Sequence, residues 1–149
     1  MRIGVDVGSV RVGVAATDAA ATMSFPITVI PRDRRSGRDL AELAAVIAAR
    51  EAVEVVVGLP VTLAGRDSAS TDDARDYATR LAGRVAPVPV RLVDERLTTV
   101  TATQQLRTSG RDARASREIV DAAAAVVLLD SALDTERHTG APPGEEVAP

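Results

Sequence analysis

The sequence predicts an α/β protein built on a mixed sheet with helices on its faces. Three observations predict it. The chain opens with three consecutive strand-like segments, the mark of antiparallel neighbours, and then alternates helix and strand, the mark of parallel ones. Glu54–Gly58 (EVVVG) is a continuous apolar run, as a central strand covered on both faces should be. The last long segment, Glu118–Leu133, is apolar almost all round, so it must lie against that sheet.

Each element has its own signal. Arg2–Val7 and Arg11–Thr17 are strands joined by the tight stretch Gly8-Ser9-Val10, a hairpin signal. Pro26–Pro31 (PITVIP) is short and β-branched, a third strand that proline is expected to stop at both ends. A polar, basic loop, RDRRSGR, follows. Asp39–Arg50 puts Leu40, Leu43, Ala44 and Ile47 on one helical face. After EVVVG comes a loop with Pro60 and Gly65. A second helix is expected from Ser70 to about Ala82, with Asp72 and Asp73 in its first turn, where the helix dipole favours them. Val88–Val93 is the next strand. Thr98 or Thr99 can cap a helix running to about Arg107. A linker, SGRDARAS, leads into the final helix. The predicted order is β-β-β-α-β-α-β-α-α, one domain over 1–137, followed by a small, polar, proline-containing tail, 138–149, expected to be disordered.

Composition narrows the function classes. At 149 residues the chain can bury a core. It has no apolar run long enough to span a bilayer and no signal-peptide pattern, so a cytoplasmic protein without membrane contact is expected. Cysteine is absent, which excludes disulfides and thiolate metal sites. Every basic residue is arginine, suited to bidentate phosphate recognition. A net charge of −3 argues against a globally basic nucleic-acid binder, though not against a local patch. Phe25 and Tyr77 are the only aromatics, so recognition by base stacking is not expected.

Three carboxylates fit their surroundings poorly. Asp6 sits near the end of the apolar strand that runs through Ile3, Val5 and Val7, Glu95 ends a strand in VPVRLVDERLTT, and Asp121 sits in EIVDAAAAVVLLD among closely packing alanines. Each has a bland reading: a turn-initiating aspartate ahead of Gly8, the polar end of a strand, and a charge tolerated early in a helix. Taken together they suggest more. If the two strands are neighbours and the helix crosses their ends, three carboxylates converge and repel unless hard divalent cations neutralise them. Oxygen ligands without cysteine, and with His138 as the one histidine, point to Mg²⁺ or Mn²⁺ rather than zinc. Two such ions about 3.5–4 Å apart activate a water and stabilise the leaving oxygen in phosphodiester hydrolysis. Gly8 and Ser9 would then let a phosphate backbone come close.

DVGSVRVGVAATD, VVVGLP with its following AGRDS loop, DERLTT and the VDAAAAVVLL helix, in this order and spacing, resemble the YqgF family. Its members are Holliday-junction resolvases of the RuvX type, also described as nucleases that mature the 5′ end of pre-16S ribosomal RNA. The resemblance runs from Met1 to about Arg137. It implies an RNase H-like fold, a five-stranded mixed sheet with strand 2 antiparallel and helices on both faces, and a divalent-metal site. Its aspartate, glutamate and aspartate fall on Asp6, Glu95 and Asp121. The chain departs from the family pattern twice. Arg114 and Arg117 stand near the position of a frequent lysine, and Thr101 replaces a frequent acidic residue after DERLTT.

Arginines gather at Arg32, Arg34, Arg35 and Arg38, and again at Arg107, Arg111, Arg114 and Arg117, with Arg66 and Arg96 flanking loops expected near the site. Either cluster can be a solvated face. The expected contacts to nucleic-acid substrate are Gly8, Ser9, Arg11, Arg66, Arg96, Arg114 and Arg117, recognising backbone shape rather than bases. Precursor ribosomal RNA and branched DNA both fit, and a junction resolvase would need a homodimer to make paired cuts. Two other classes stay open: an actin-like or sugar-kinase-type ATPase whose first phosphate loop DVGSVRVGVA also resembles, and a non-catalytic ribosome assembly factor.

Overall fold

A computed structural model of the chain describes residues 1–60, 68–94 and 113–149, without the side chains of 113–121. The expected helix from Thr98 or Thr99 to about Arg107 lies outside the described residues. Those described form β1 (Arg2–Val7), β2 (Arg11–Thr17), β3 (Ser24–Pro31), α1 (Arg38–Ala49), β4 (Glu54–Leu59), α2 (Ala69–Val85), β5 (Val90–Asp94), α3 (Ala113–Thr139) and β6 (Glu145–Glu146). The strands make a single mixed sheet in the order β3-β2-β1-β4-β5-β6. β2 runs antiparallel to β1 and β3, while β1, β4 and β5 are mutually parallel. The carboxyl ends of β1, β4 and β5 therefore share one edge of the molecule, where open α/β sheets place their ligands.

Strand alternation assigns the two faces. Ile3 and Val5 of β1, Val12 and Val14 of β2, and Val55 and Val57 of β4 form a core with Leu40, Leu43 and Ile47 of α1 and Tyr77 and Leu81 of α2. Ala15 and Val56 point the other way and meet Ala125, Leu128, Leu129 and Ala132 of α3. Gly4 lies on this second face. A Cβ added there would stand 2.9 Å from the Ala125 carbonyl oxygen and 3.0 Å from Leu129 Cβ, so α3 rests almost on the backbone of β1. Arg2, at the start of β1, pairs with Glu136 near the far end of the helix. Hence α3 runs antiparallel to β1, and its Asp121 end heads toward the carboxyl end of that strand.

Three boundaries differ from expectation. β3 continues through Pro26 to Ser24, because it is an edge strand and its pairing with β2 shifts register at Val14/Ala15, where a missing N–H is tolerated. α3 extends to Thr139. The sheet has six strands rather than five, because residues Glu145–Glu146 pair antiparallel with Leu92 and Arg91 of β5. The tail is held by specific bonds. Arg91 donates to the Pro143 and Gly144 carbonyls at 2.6 and 3.3 Å, and the Val147 N–H donates to the Val90 carbonyl at 2.8 Å. Gly144 has φ +65°, and a Cβ there would come within 2.0 Å of the Leu92 carbonyl oxygen, so only glycine fits.

Candidate active site

Asp6 lies next to last in β1, opposite Gly13 of β2, and is half-buried. Its position alternates with Ile3 and Val5, so it shares the α3 face with Gly4. The strand closes into a tight turn at Gly8. The Gly8 N–H donates to the Arg11 carbonyl at 2.8 Å, and a Cβ on Gly8 would approach that oxygen to 2.6 Å. Glycine is therefore required, and the turn exposes its tip: Ser9 is exposed and Val10 is 65% exposed. Arg11 begins β2 and is half-buried.

Of the other expected site residues, Glu95, Arg66 and Arg96 lie outside the described residues. Arg114, Arg117 and Asp121 belong to α3, with backbone described and side chains not. β5 ends at Asp94, at the same sheet edge as the end of β1, and Glu95 is the next residue in the sequence. Asp6 is thus the one expected ligand whose side chain is described, and among the described residues no three acidic or histidine side chains gather to hold a metal. His138 takes no part. It sits exposed at the opposite end of α3, beside Asp134.

The turn after Asp6 is held by a network that inspection of the sequence misses. The Arg32 guanidinium donates to the Gly8 carbonyl at 2.8 Å and to both carboxylate oxygens of Asp73 at 2.9 and 3.1 Å. Its Nε lies 3.4 Å from Asp39, and its plane sits 5.0 Å from the Tyr77 ring centroid. The Arg32 N–H donates to the Val10 carbonyl at 2.8 Å. Its side chain is only 8% exposed. Arg34 reaches Asp73 at 3.1 Å and the Ser9 carbonyl at 3.2 Å, yet is 56% exposed.

These contacts set the local ionisation. Hydrogen bonds from Arg32, and then Arg34, draw the Asp73 pKa down to about 2. Burial, reinforced by the Asp39 carboxylate, pushes the Tyr77 phenol well above its ordinary value. Asp73 also follows the α2 capping box, in which Ser68 and Thr71 satisfy each other's backbone groups. A sequence signal does exist: Asp73 and Tyr77 stand four residues apart on one helical face, so a cation can meet both.

The comparisons with known proteins agree with this architecture. A protein from a Nocardioides species, named "Putative pre-16S rRNA nuclease", is 50% identical over 99% of this chain and 96% of its own. A relative of the same name from Mycolicibacterium paratuberculosis is 54% identical over 91% of this chain and 81% of its own. Among solved structures, Thermus thermophilus RuvC bound to a Holliday junction aligns with a TM-score of 0.57 at 16% identity, covering 95% of this chain and 98% of that one. That likeness identifies the fold as RNase H-like. The model of the family described as "RuvX: Holliday junction resolvase" matches residues 1–135. With that match and relatives at half identity over nearly its whole length, the chain belongs to the RuvX family.

Proposed function

We propose that this chain is a divalent-metal-dependent nuclease that cuts phosphodiester bonds in structured nucleic acid, and that its substrate is the 5′ extension of pre-16S ribosomal RNA. The carrying observation is the placement of Asp6 at the carboxyl end of β1, on the face crossed by an antiparallel α3 whose Asp121 end approaches it. Names of close relatives supply the substrate. A ribosomal substrate puts the work in the cytoplasm, and residues 1–137 make up the nuclease domain.

Asp6, Glu95 and Asp121 would hold Mg²⁺ or Mn²⁺, two ions in the full site. The donor set fits: all ligands are carboxylate oxygens, the chain has no cysteine, and its histidine lies at the other end of α3. When bound, the ions supply positive charge to the scissile phosphate and a water of lowered pKa. The protein's share is positioning. The Gly8 turn offers backbone at close range, and Arg11, Arg66, Arg96, Arg114 and Arg117 would neutralise neighbouring phosphates while Ser9 offers a hydroxyl. In the net reaction water adds to phosphorus, the P–O bond to the leaving nucleoside breaks, and that oxygen takes a proton.

Asp6→Asn is nearly isosteric and tests the reading. It should abolish Mg²⁺- or Mn²⁺-dependent cleavage of a 5′-extended precursor RNA while retaining binding. Undiminished cleavage would overturn the assignment. Equal binding with Asp6, Glu95 and Asp121 all neutralised, and no cleavage by the unaltered protein, would favour a non-catalytic assembly factor.

The family description supports a second substrate, a four-way DNA junction. Paired cuts there require a homodimer. Cleavage of both substrates, with the oligomeric state measured alongside, distinguishes them. Stabilisation by ATP would instead mark the phosphate-loop ATPase.

A further inference from the structure

Asp73 has two arginine partners and needs only one. Arg32, buried, occupies both of its oxygens at 2.9 and 3.1 Å. Arg34 duplicates that contact from outside at 3.1 and 3.3 Å, and its second Nη also reaches the Ser9 carbonyl. The two arginines differ in what holds them. Arg32 is fixed besides by Asp39, by the Gly8 carbonyl and by the Tyr77 ring. Arg34 is 56% exposed and bonds to Asp73 and the Ser9 carbonyl. If Arg34 leaves, Asp73 keeps its bidentate partner and stays ionised. If Arg32 left, Asp39, only 4% exposed, would lose its cation.

We infer that Arg34 is a phosphate-binding arm parked on Asp73, and that on nucleic-acid binding its guanidinium moves to a non-bridging oxygen of the phosphodiester backbone lying over the Gly8–Ser9 turn. This rests on the nucleic-acid substrate proposed above and adds a contact on the first arginine cluster. The half-buried Arg32–Asp73 pair is the post on which the arm swings. It also fixes the carbonyl of Gly8, so the turn and the arm keep one geometry. A guanidinium suits the task because its fork matches two phosphate oxygens as well as it matches a carboxylate. The exchange costs little, since the exposed half of a shared ion pair is weakly held in water. Arg34 reaches the turn from the β3–α1 side, which widens the expected footprint beyond the arginines of α3 and its linker.

The test measures binding in an Asp6→Asn background, where nothing is cut. The probes are a labelled four-way DNA junction and a stem-loop RNA, titrated over a range of salt. Adding Arg34→Gln should weaken binding of both about tenfold. It should also reduce the slope of log affinity against log salt by about 0.9, the release expected for one phosphate contact. Arg50→Gln, at the opposite end of α1 from this loop, should change neither. The melting temperature should stay within a few degrees. Unchanged affinity and slope would overturn the inference and leave the nuclease reading standing. A large loss of stability would overturn it too, because an arm free to leave Asp73 is not what holds the loop. Failure of the Asp6→Asn protein to bind either probe would remove both readings.

Discussion

Arg32 ties three parts of the protein together, and its chemistry sets two expectations. Its side chain joins the β1–β2 turn, Asp39 of α1 and Asp73 of α2. Arg32→Met would leave Asp39 buried without a cation and should cost about 3–5 kcal/mol, read by urea denaturation. Asp73 has a pKa lowered to about 2, below its unfolded value. Its contribution to stability is therefore complete above about pH 4 and is lost as the pH falls toward 2, on the order of 2 kcal/mol. Acid unfolding of Asp73→Asn should lack that component, and a profile matching the unaltered protein would refute the assignment. The sequence shows Arg32 only as one arginine in a basic loop. Little in the sequence distinguishes it from Arg35, because three of its four partners, Gly8, Asp73 and Tyr77, come from segments far away along the chain. Asp6 is legible for the opposite reason: a carboxylate in an apolar strand contradicts its neighbours within a few residues.

At the level of elements, periodicity reveals whatever buries an apolar face. β1, β2, β4, α1 and α2 fall within a few residues of where their patterns place them. What stays hidden depends on tertiary partners. β3 crosses Pro26 because it happens to be an edge strand. The tail forms β6 because Arg91 meets its carbonyls and Gly144 permits a left-handed residue over Leu92. A two-residue strand of glutamates carries no alternation to read. Gly144→Ala should release this strand. The Val147 amide, bonded to Val90, should then exchange rapidly with deuterium, while the amides of β4 in the sheet centre stay protected. Protection unchanged at Val147 would mean that the tail does not depend on this glycine.

For the whole molecule, the parallel run of β1, β4 and β5 matters most, since it gathers strand ends from distant parts of the sequence at one edge. The element order foresees a mixed sheet with helices on its faces, and the family resemblance that the motifs carry implies the RNase H-like fold. If Asp6, Glu95 and Asp121 hold ions there as proposed, bound cations should relieve their mutual repulsion. Millimolar Mn²⁺ should therefore raise the melting temperature of the unaltered protein and not that of Asp6→Asn. Equal shifts in both would place the ion elsewhere. No helix among the described residues is long and apolar enough to cross a membrane, not even the 27 residues of α3. That helix spreads its apolar surface over β1, β2 and β3 instead.

Gly4 gives the catalytic proposal a mechanical footing. It stands two residues before Asp6, and the helix segment seated on it, Ala125, lies about one turn beyond Asp121. If Asp6 and Asp121 share an ion as proposed, the spacing of strand and helix that sets their separation is gauged by a residue that contributes no side chain at all. A single methyl group at this point would act as a shim, prising the helix away from the strand and altering the fit of any ion seated between the acids, with every charged group still present.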